Sequence, residues 1–135
     1  MQRSIEFSQE HEIFRESVRK FFEAEVLPHY EEWEKAGIVP REIWRKCGEM
    51  GFLLPWLEEE YGGPGADFLY SVIVTEELAR TNCGGLMLPL HSDVVAPYIY
   101  AFGSEAQKKK YLPKCASGEI ILAVAMTEPE AILSS

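Results

Sequence analysis

The 135-residue sequence has few cysteines and no long apolar run. Its three cysteines, Cys47, Cys83 and Cys115, are widely spaced and form no CxxC pair, which argues against a disulfide framework and favours reduced thiols. No stretch approaches the roughly 18 consecutive apolar residues of a transmembrane helix. The first ten residues contain neither the apolar core of a signal peptide nor an Arg-rich amphipathic pattern, so the expected location is cytoplasmic.

Basic residues are also scarce, at 13 against 22 acidic ones, and the formal net charge is −9. The longest basic run, at 108–110, is too short to supply the positive surface that nucleic acids require, and an anionic membrane surface would repel the chain. His11, His29 and His91 pair neither with each other nor with cysteine at metal-ligand spacing. We therefore expect no nucleic-acid partner, no membrane partner and no metal.

Helical periodicity dominates what is present. Ser8 is a good N-cap for a first helix that extends to about Lys35, with a kink at Pro28 and an end at Gly37. Four further helices are predicted, roughly over residues 40–50, 67–81, 86–102 and 104–112.

The pattern changes near the end of the chain. The last predicted helix begins with a capping-box sequence at Ser104 and ends before Pro113. After a turn at 117–118, residues 120–126 form a continuous apolar run, which predicts a buried strand. The expected fold class is therefore mainly α: a helical bundle of about five helices with one C-terminal β-strand.

Five segments carry a resemblance to a known family. They are VLPHYEEWEKAG at 26–37, EYGGPGAD at 60–67, TEELAR at 75–80, FGSEAQKKKYLPKCASGE at 102–119 and AVAMTEP at 123–129. In this order and at this spacing they resemble the acyl-CoA dehydrogenases, over almost the whole chain. The last two segments are the most specific. The EEWEKAG segment, with Asn82, Cys83, His91 and Ser92, looks most like the long-chain members.

The resemblance implies a function. Members of this family are FAD-dependent enzymes of fatty-acid β-oxidation, in which a carboxylate takes the α-proton of an acyl-CoA thioester and the flavin takes the β-hydride. The product is a trans-2-enoyl-CoA, and the electrons leave through an electron-transfer flavoprotein. On this basis residues 1–118 would be the N-terminal helical domain. Residues 119–135 would be the first strand and stub of the middle β-domain.

Three residues match the family segment that lies along the flavin: Val124, Met126 and Thr127. Backbone amides and a threonine hydroxyl at the end of a strand can bond the polar edge of the flavin, which gains negative charge on reduction. The alternative is that Thr127 only ends a strand.

Four residues match positions that line the fatty-acyl tunnel: Leu86, Met87, Leu90 and Val94. The alternative is that this apolar stripe is ordinary helix core. Long-chain members have smaller residues near Leu86 and Met87, so the chain length of the substrate stays open.

The sequence departs from the family after Pro129. The family continues G-A-G-S-D there, whereas this chain has Glu-Ala-Ile-Leu-Ser-Ser, with Ser134 one place late for the pyrophosphate. The family's catalytic carboxylate has no counterpart in the chain, so no catalytic residue is assigned. We expect the chain alone to bind no FAD and to be inactive. It would then be a fragment, one half of a split enzyme, or a non-catalytic helical interaction module. We expect it to form a homo-oligomer or to pair with a complementary chain.

Overall fold

The computed structural model describes residues 5–130, which contain six α-helices joined by loops and short helical turns. The helices are α1 (Gln9–Phe21), α2 (Tyr30–Ala36), α3 (Arg41–Glu49), α4 (Phe68–Thr81), α5 (Ala96–Phe102) and α6 (Glu105–Ser117). The predicted mainly α fold is confirmed. No helix within the described range is long and apolar enough to cross a membrane.

The predicted first helix is two α-helices with an irregular join. Ser8 caps α1 through a reciprocal pair of hydrogen bonds, and Gly37 ends α2 at φ +76°. Between them lie a wide π-helical turn, Phe22–Val26, and a tight 3₁₀ turn, Leu27–His29. Pro28 has no N–H and cannot continue a regular α-helix, so the change of winding falls where the sequence predicts a kink.

Helices α1 and α4 are joined by a buried ionic group. Glu77 on α4 is only 2% exposed. Its carboxylate accepts hydrogen bonds from Arg19 at 2.9 Å and from Arg15 at 3.1 Å. The hydrogen bond from Arg19, helped by that from Arg15, lowers the pKa of Glu77. The carboxylate is therefore charged at neutral pH and ties the two helices together.

Helices α3 and α6 cross at two glycines. A Cβ at Gly48 would overlap the Ser117 carbonyl, and a Cβ at Gly118 would overlap the Trp44 carbonyl. Gly118 also has φ +82°, which favours glycine and ends α6. This close approach directs the chain after α6 back across α3.

Two predicted boundaries are wrong. Helix α6 does not stop before Pro113 but continues to Ser117, because the turns on both sides of the proline bury apolar side chains against α3. The predicted fourth helix does not start at Leu86, which ends a 3₁₀ turn, and Met87 has φ +51°. Helical winding resumes only after Met87 and passes through the wide turn Leu90–Val95 into α5.

The predicted strand at 120–126 is also absent from the structure. Within residues 5–130 there is no strand, and the chain from 121 to 128 is irregular. A strand requires a neighbouring backbone for its ladder of hydrogen bonds, and none lies beside this segment in the described structure. Instead, Ile120, Ile121 and Leu122 are half-buried against the helical core.

Candidate functional site

An apolar groove of about 420 Å³ lies between three parts of the chain. They are the start of α3 with the loop before it, the stretch around Leu86, and the segment that follows α6. Its lining residues are Ile38, Val39, Arg41, Trp44, Gly85, Leu86, Met87, Leu90, Ile121, Leu122 and Ala123. Apart from Arg41, every lining side chain is apolar or, at Gly85, absent. The groove therefore suits an aliphatic or aromatic ligand.

Three of the four residues predicted to line an acyl site meet in this groove. Leu86 is fully buried at its base, Leu90 is half-buried, and Met87 is 49% exposed at its rim. Val94 lies one helical turn beyond Leu90, is 44% exposed and does not line the groove. The alternative interpretation, that these side chains only form helix core, applies to Leu86 but not to Met87 and Leu90, because the latter two are accessible.

The residues predicted to contact a flavin come immediately after one wall of the groove in the sequence. Residues 121–123 form that wall, and Val124, Met126 and Thr127 come next along the chain. Val124 is 38% exposed and Met126 is 85% exposed, and Thr127 is exposed as well. Although no strand forms here, the structure brings the two predicted sets of residues to adjacent positions.

His91 holds that wall and was missed as a site residue. Its ring is fully buried, and the Trp44 ring meets it edge-on with a centroid distance of 5.2 Å. The Leu122 N–H donates to His91 Nδ1 at 3.1 Å, and His91 Nε2 lies 2.9 Å from the Cys115 carbonyl oxygen. Burial lowers the pKa of His91. In the sequence, His91 stands out only within the set of residues that resembles the long-chain members, and nothing there indicates its bond to Leu122.

A second apolar depression, of about 500 Å³, lies on the other side of Leu122. Its lining residues are Tyr98, Ile99, Phe102, Gly103, Gln107, Tyr111, Ile120 and Leu122. Tyr98 is 62% exposed and Phe102 is 82% exposed, so large apolar side chains face outward here.

Two buried cysteines of the described structure are poor candidates for a nucleophile. Burial raises the pKa of Cys47 to about 12 and that of Cys115 to about 11, so both thiols are protonated at neutral pH and are poor nucleophiles. Within residues 5–130 no group of His, Cys, Asp or Glu side chains is arranged to hold a metal ion.

Comparison with known proteins identifies the fold. The family model Acyl-CoA dehydrogenase, N-terminal domain, matches residues 8–119. The chain belongs to the acyl-CoA dehydrogenase family. The long-chain specific acyl-CoA dehydrogenase of Sus scrofa, a mitochondrial protein, is 54% identical over 125 residues, which are 93% of this chain and 29% of that protein. The resemblance inferred from the sequence is thus confirmed.

The backbone of this chain is similar to the backbones of solved structures of the family. The acyl-CoA dehydrogenase of Geobacillus kaustophilus is 54% identical, with a TM-score of 0.87 over 93% of this chain and 33% of its own. An acyl-CoA dehydrogenase of Bacillus anthracis complexed with FAD is 34% identical, with a TM-score of 0.80 over 93% of this chain and 22% of its own. The chain therefore spans about a third or less of the family members it matches.

Proposed function

We propose that this chain is the N-terminal helical domain of an FAD-dependent acyl-CoA dehydrogenase and that its apolar groove receives the acyl chain. The arrangement of the residues that line the groove is the main support for this proposal. The groove joins Leu86, Met87 and Leu90 to residues 121–123, and the residues expected at the flavin, 124–127, follow at once. The parts of the chain expected at the fatty acyl group and at the flavin therefore share one edge of the domain.

The groove contributes binding and exclusion of water. Met87, Leu90 and Ala123 offer accessible apolar surface over the buried Leu86 and Trp44, and each methylene of an acyl chain buried there gains about 0.8 kcal/mol. An acyl chain held in this way would place the carbons next to the thioester beside residues 124–127. Leu86 and Met87 are bulkier than the residues expected of long-chain members at these positions, so a long acyl chain is not assigned and the chain length stays open.

The residues at the end of the wall fit the edge of a flavin. Val124, Met126 and Thr127 are exposed and lie outside any helix or strand of the described structure, so their amides and the Thr127 hydroxyl are accessible. FAD, when bound, accepts the β-hydride of the substrate. Amide and hydroxyl donors stabilise the negative charge that develops on this ring edge.

The rest of the reaction belongs to residues beyond this chain. In the proposed enzyme a carboxylate removes the α-proton of an acyl-CoA thioester, the product is a trans-2-enoyl-CoA, and an electron-transfer flavoprotein receives the electrons. Ser134, expected near the pyrophosphate but out of register, lies outside the described residues. The cytoplasmic location expected from the sequence stays a prediction.

We also propose that the chain associates with further protein. The outward-facing Tyr98 and Phe102 favour association with further protein, either a complementary chain with the β-domain and C-terminal bundle or a second copy. The same surface favours the alternative of a helical interaction module without catalysis. The two are separated by whether the chain supports dehydrogenation when the rest of the enzyme is supplied.

A chimera provides this test. The chain replaces the corresponding third of the Geobacillus kaustophilus enzyme, to which it is 54% identical. We expect the chimera to purify with FAD and to oxidise acyl-CoA with an artificial electron acceptor. A folded chimera that binds no FAD, or binds FAD but oxidises no acyl-CoA, would contradict the proposal and favour the interaction module.

Two matched variants locate the acyl site in the chimera. Met87→Glu puts a carboxylate at the rim of the groove, whereas Ile13→Glu puts one on α1 at a side chain that is 61% exposed and outside the groove. We expect the first to raise KM for acyl-CoA about tenfold or more, since the charge must be desolvated or the acyl chain displaced. The second should leave KM unchanged.

A further inference from the structure

The buried ring of His91 has its protonation fixed by its two partners. The backbone N–H of Leu122 can only donate, so Nδ1, at 3.1 Å, must be the unprotonated acceptor. The Cys115 carbonyl can only accept, so Nε2, at 2.9 Å, must carry the proton. One tautomer of the neutral ring, with hydrogen on Nε2, therefore satisfies both partners. In a charged imidazolium Nδ1 would also carry a hydrogen, and this N–H would face the N–H of Leu122 with no acceptor between them.

These two bonds tie together parts of the chain that are far apart in sequence. Cys115 belongs to α6 and Leu122 to the segment after it, which are 24 and 31 residues from His91. Within residues 5–130, the Leu122 bond is the hydrogen bond nearest in sequence to Val124. Beyond Leu122, residues 123–130 are exposed. Within the described residues, this bond and the packing of residues 120–122 against the core are the contacts that lie immediately before Val124.

His91 also supports the opposite wall of the groove. Its ring meets Trp44 edge-on, and Trp44 lines the groove on α3. The imidazole of His91 therefore contacts one residue in each of two walls of the groove, Trp44 and Leu122. A side chain of equal volume without nitrogen atoms would keep the contact with Trp44 and lose the bond to Leu122.

We propose that His91 is a positioning residue: as the neutral Nε2–H tautomer it fixes Leu122 and so sets where Val124, Met126 and Thr127 stand relative to the groove. The consequence for the flavin rests on the proposed function, whereas the anchoring of Leu122 does not. His91 contacts no reacting atom and acts through the segment it holds.

Nuclear magnetic resonance on the unmodified chain tests the anchor directly. The imidazole nitrogen shifts of His91 should be those of the Nε2–H tautomer near neutral pH, and the Leu122 amide should exchange with solvent at least about tenfold more slowly than that of Ala125. A ring protonated on Nδ1, or a Leu122 amide that exchanges as fast as Ala125, would overturn the proposal. This measurement requires neither FAD nor a variant.

Substitutions then separate positioning from mere packing. His91→Leu keeps the volume without the bonds, and His91→Gln offers an acceptor and a donor that can replace Nδ1 and Nε2. In His91→Leu the Leu122 amide should lose about tenfold of its protection while the Ile73 amide in α4 keeps its own, and His91→Gln should restore part of the loss. Equal behaviour of the two variants at Leu122 would overturn the role.

The chimera links the anchor to function. In it, His91→Leu should weaken FAD binding about tenfold, with partial rescue by His91→Gln. If the unsubstituted chimera binds FAD and His91→Leu binds it equally well, the positioning role fails. If the unsubstituted chimera binds no FAD at all, the proposed function fails, and the anchor is decided by the Leu122 exchange rates alone.

Discussion

At the scale of single residues, two buried titratable side chains hold distant segments together in opposite ways. Glu77 is kept charged by Arg15 and Arg19, which join α1 to α4. His91 is kept neutral by burial and by partners that accept one tautomer, and it joins the segment after α6 to the groove. Each group satisfies its hydrogen bonds in one protonation state only.

Removing the Glu77 carboxylate should be costly. Glu77→Ala leaves the buried Arg15 without one of its partners, and we expect the free energy of unfolding to fall by about 3 kcal/mol. The matched control is Glu31→Ala, which breaks a pair with Lys35 whose side chains are 84% and 77% exposed. That change should cost less than about 0.5 kcal/mol. Urea denaturation measures both, and similar losses would contradict the account.

The neutrality of His91 predicts a dependence of stability on pH. Because its folded pKa lies below the ordinary value of about 6.5, folding requires the neutral ring, and its contribution is complete above that pH. As pH falls below about 6.5 the unfolded state gains a proton, and stability decreases by up to about 1.4 kcal/mol per pH unit until the folded pKa is reached.

His91→Gln isolates this contribution. Glu77 has a lowered pKa, so it also loses stability as pH falls, but that loss is common to both proteins. The difference in unfolding free energy between the unmodified chain and His91→Gln should therefore change between pH 7 and pH 5, in favour of the variant at low pH. Parallel curves over this interval would show that His91 titrates normally.

At the scale of the elements, close packing at glycine decides how α3 and α6 cross. Gly48 meets the Ser117 carbonyl with no space for a Cβ, whereas Gly84 has no atom within 4 Å of that position. Gly48→Ala should lower the free energy of unfolding by about 2 kcal/mol through forced separation of the helices. Gly84→Ala should change it by less than about 1 kcal/mol. Equal melting temperatures for the two variants would contradict the crossing geometry.

Helix caps could be predicted from the sequence, whereas features that depend on tertiary packing could not. Ser8 and Ser104 were identified as helix caps because capping depends on neighbours within three residues. The strand at 120–126 and the end of α6 before Pro113 were wrong because both depend on tertiary packing. A strand requires partner strands, and a proline is tolerated where the surrounding turns are held by the core.

For the site, the sequence identified residues but not their arrangement. Leu86, Met87 and Leu90 were named from a resemblance, and the structure places them together. Val94, four residues beyond Leu90, is 44% exposed and lies outside the groove. His91 was not assigned to the site because its partner Leu122 is 31 residues away, and no local sequence pattern indicates such a hydrogen bond.

At the level of the whole molecule, the chain matches only part of the length of its relatives. It spans 29% of the Sus scrofa relative and 33% of the Geobacillus kaustophilus chain. We predict that the isolated chain is colourless and shows no acyl-CoA dehydrogenation at any chain length, because a missing general base alone costs roughly 10²–10⁴ in rate. Absorbance near 450 nm and an artificial electron acceptor measure this. Stoichiometric flavin or turnover in the isolated chain would contradict it.

The groove beside residues 121–123 is proposed to receive the acyl chain. A crystal structure of the chimera with FAD and a saturated acyl-CoA would locate that chain. We expect an acyl chain in contact with Met87 and Leu90, above the buried Leu86, with Thr127 at the edge of the flavin. An acyl chain bound elsewhere, with the groove filled by protein side chains, would show that the groove is not the acyl site.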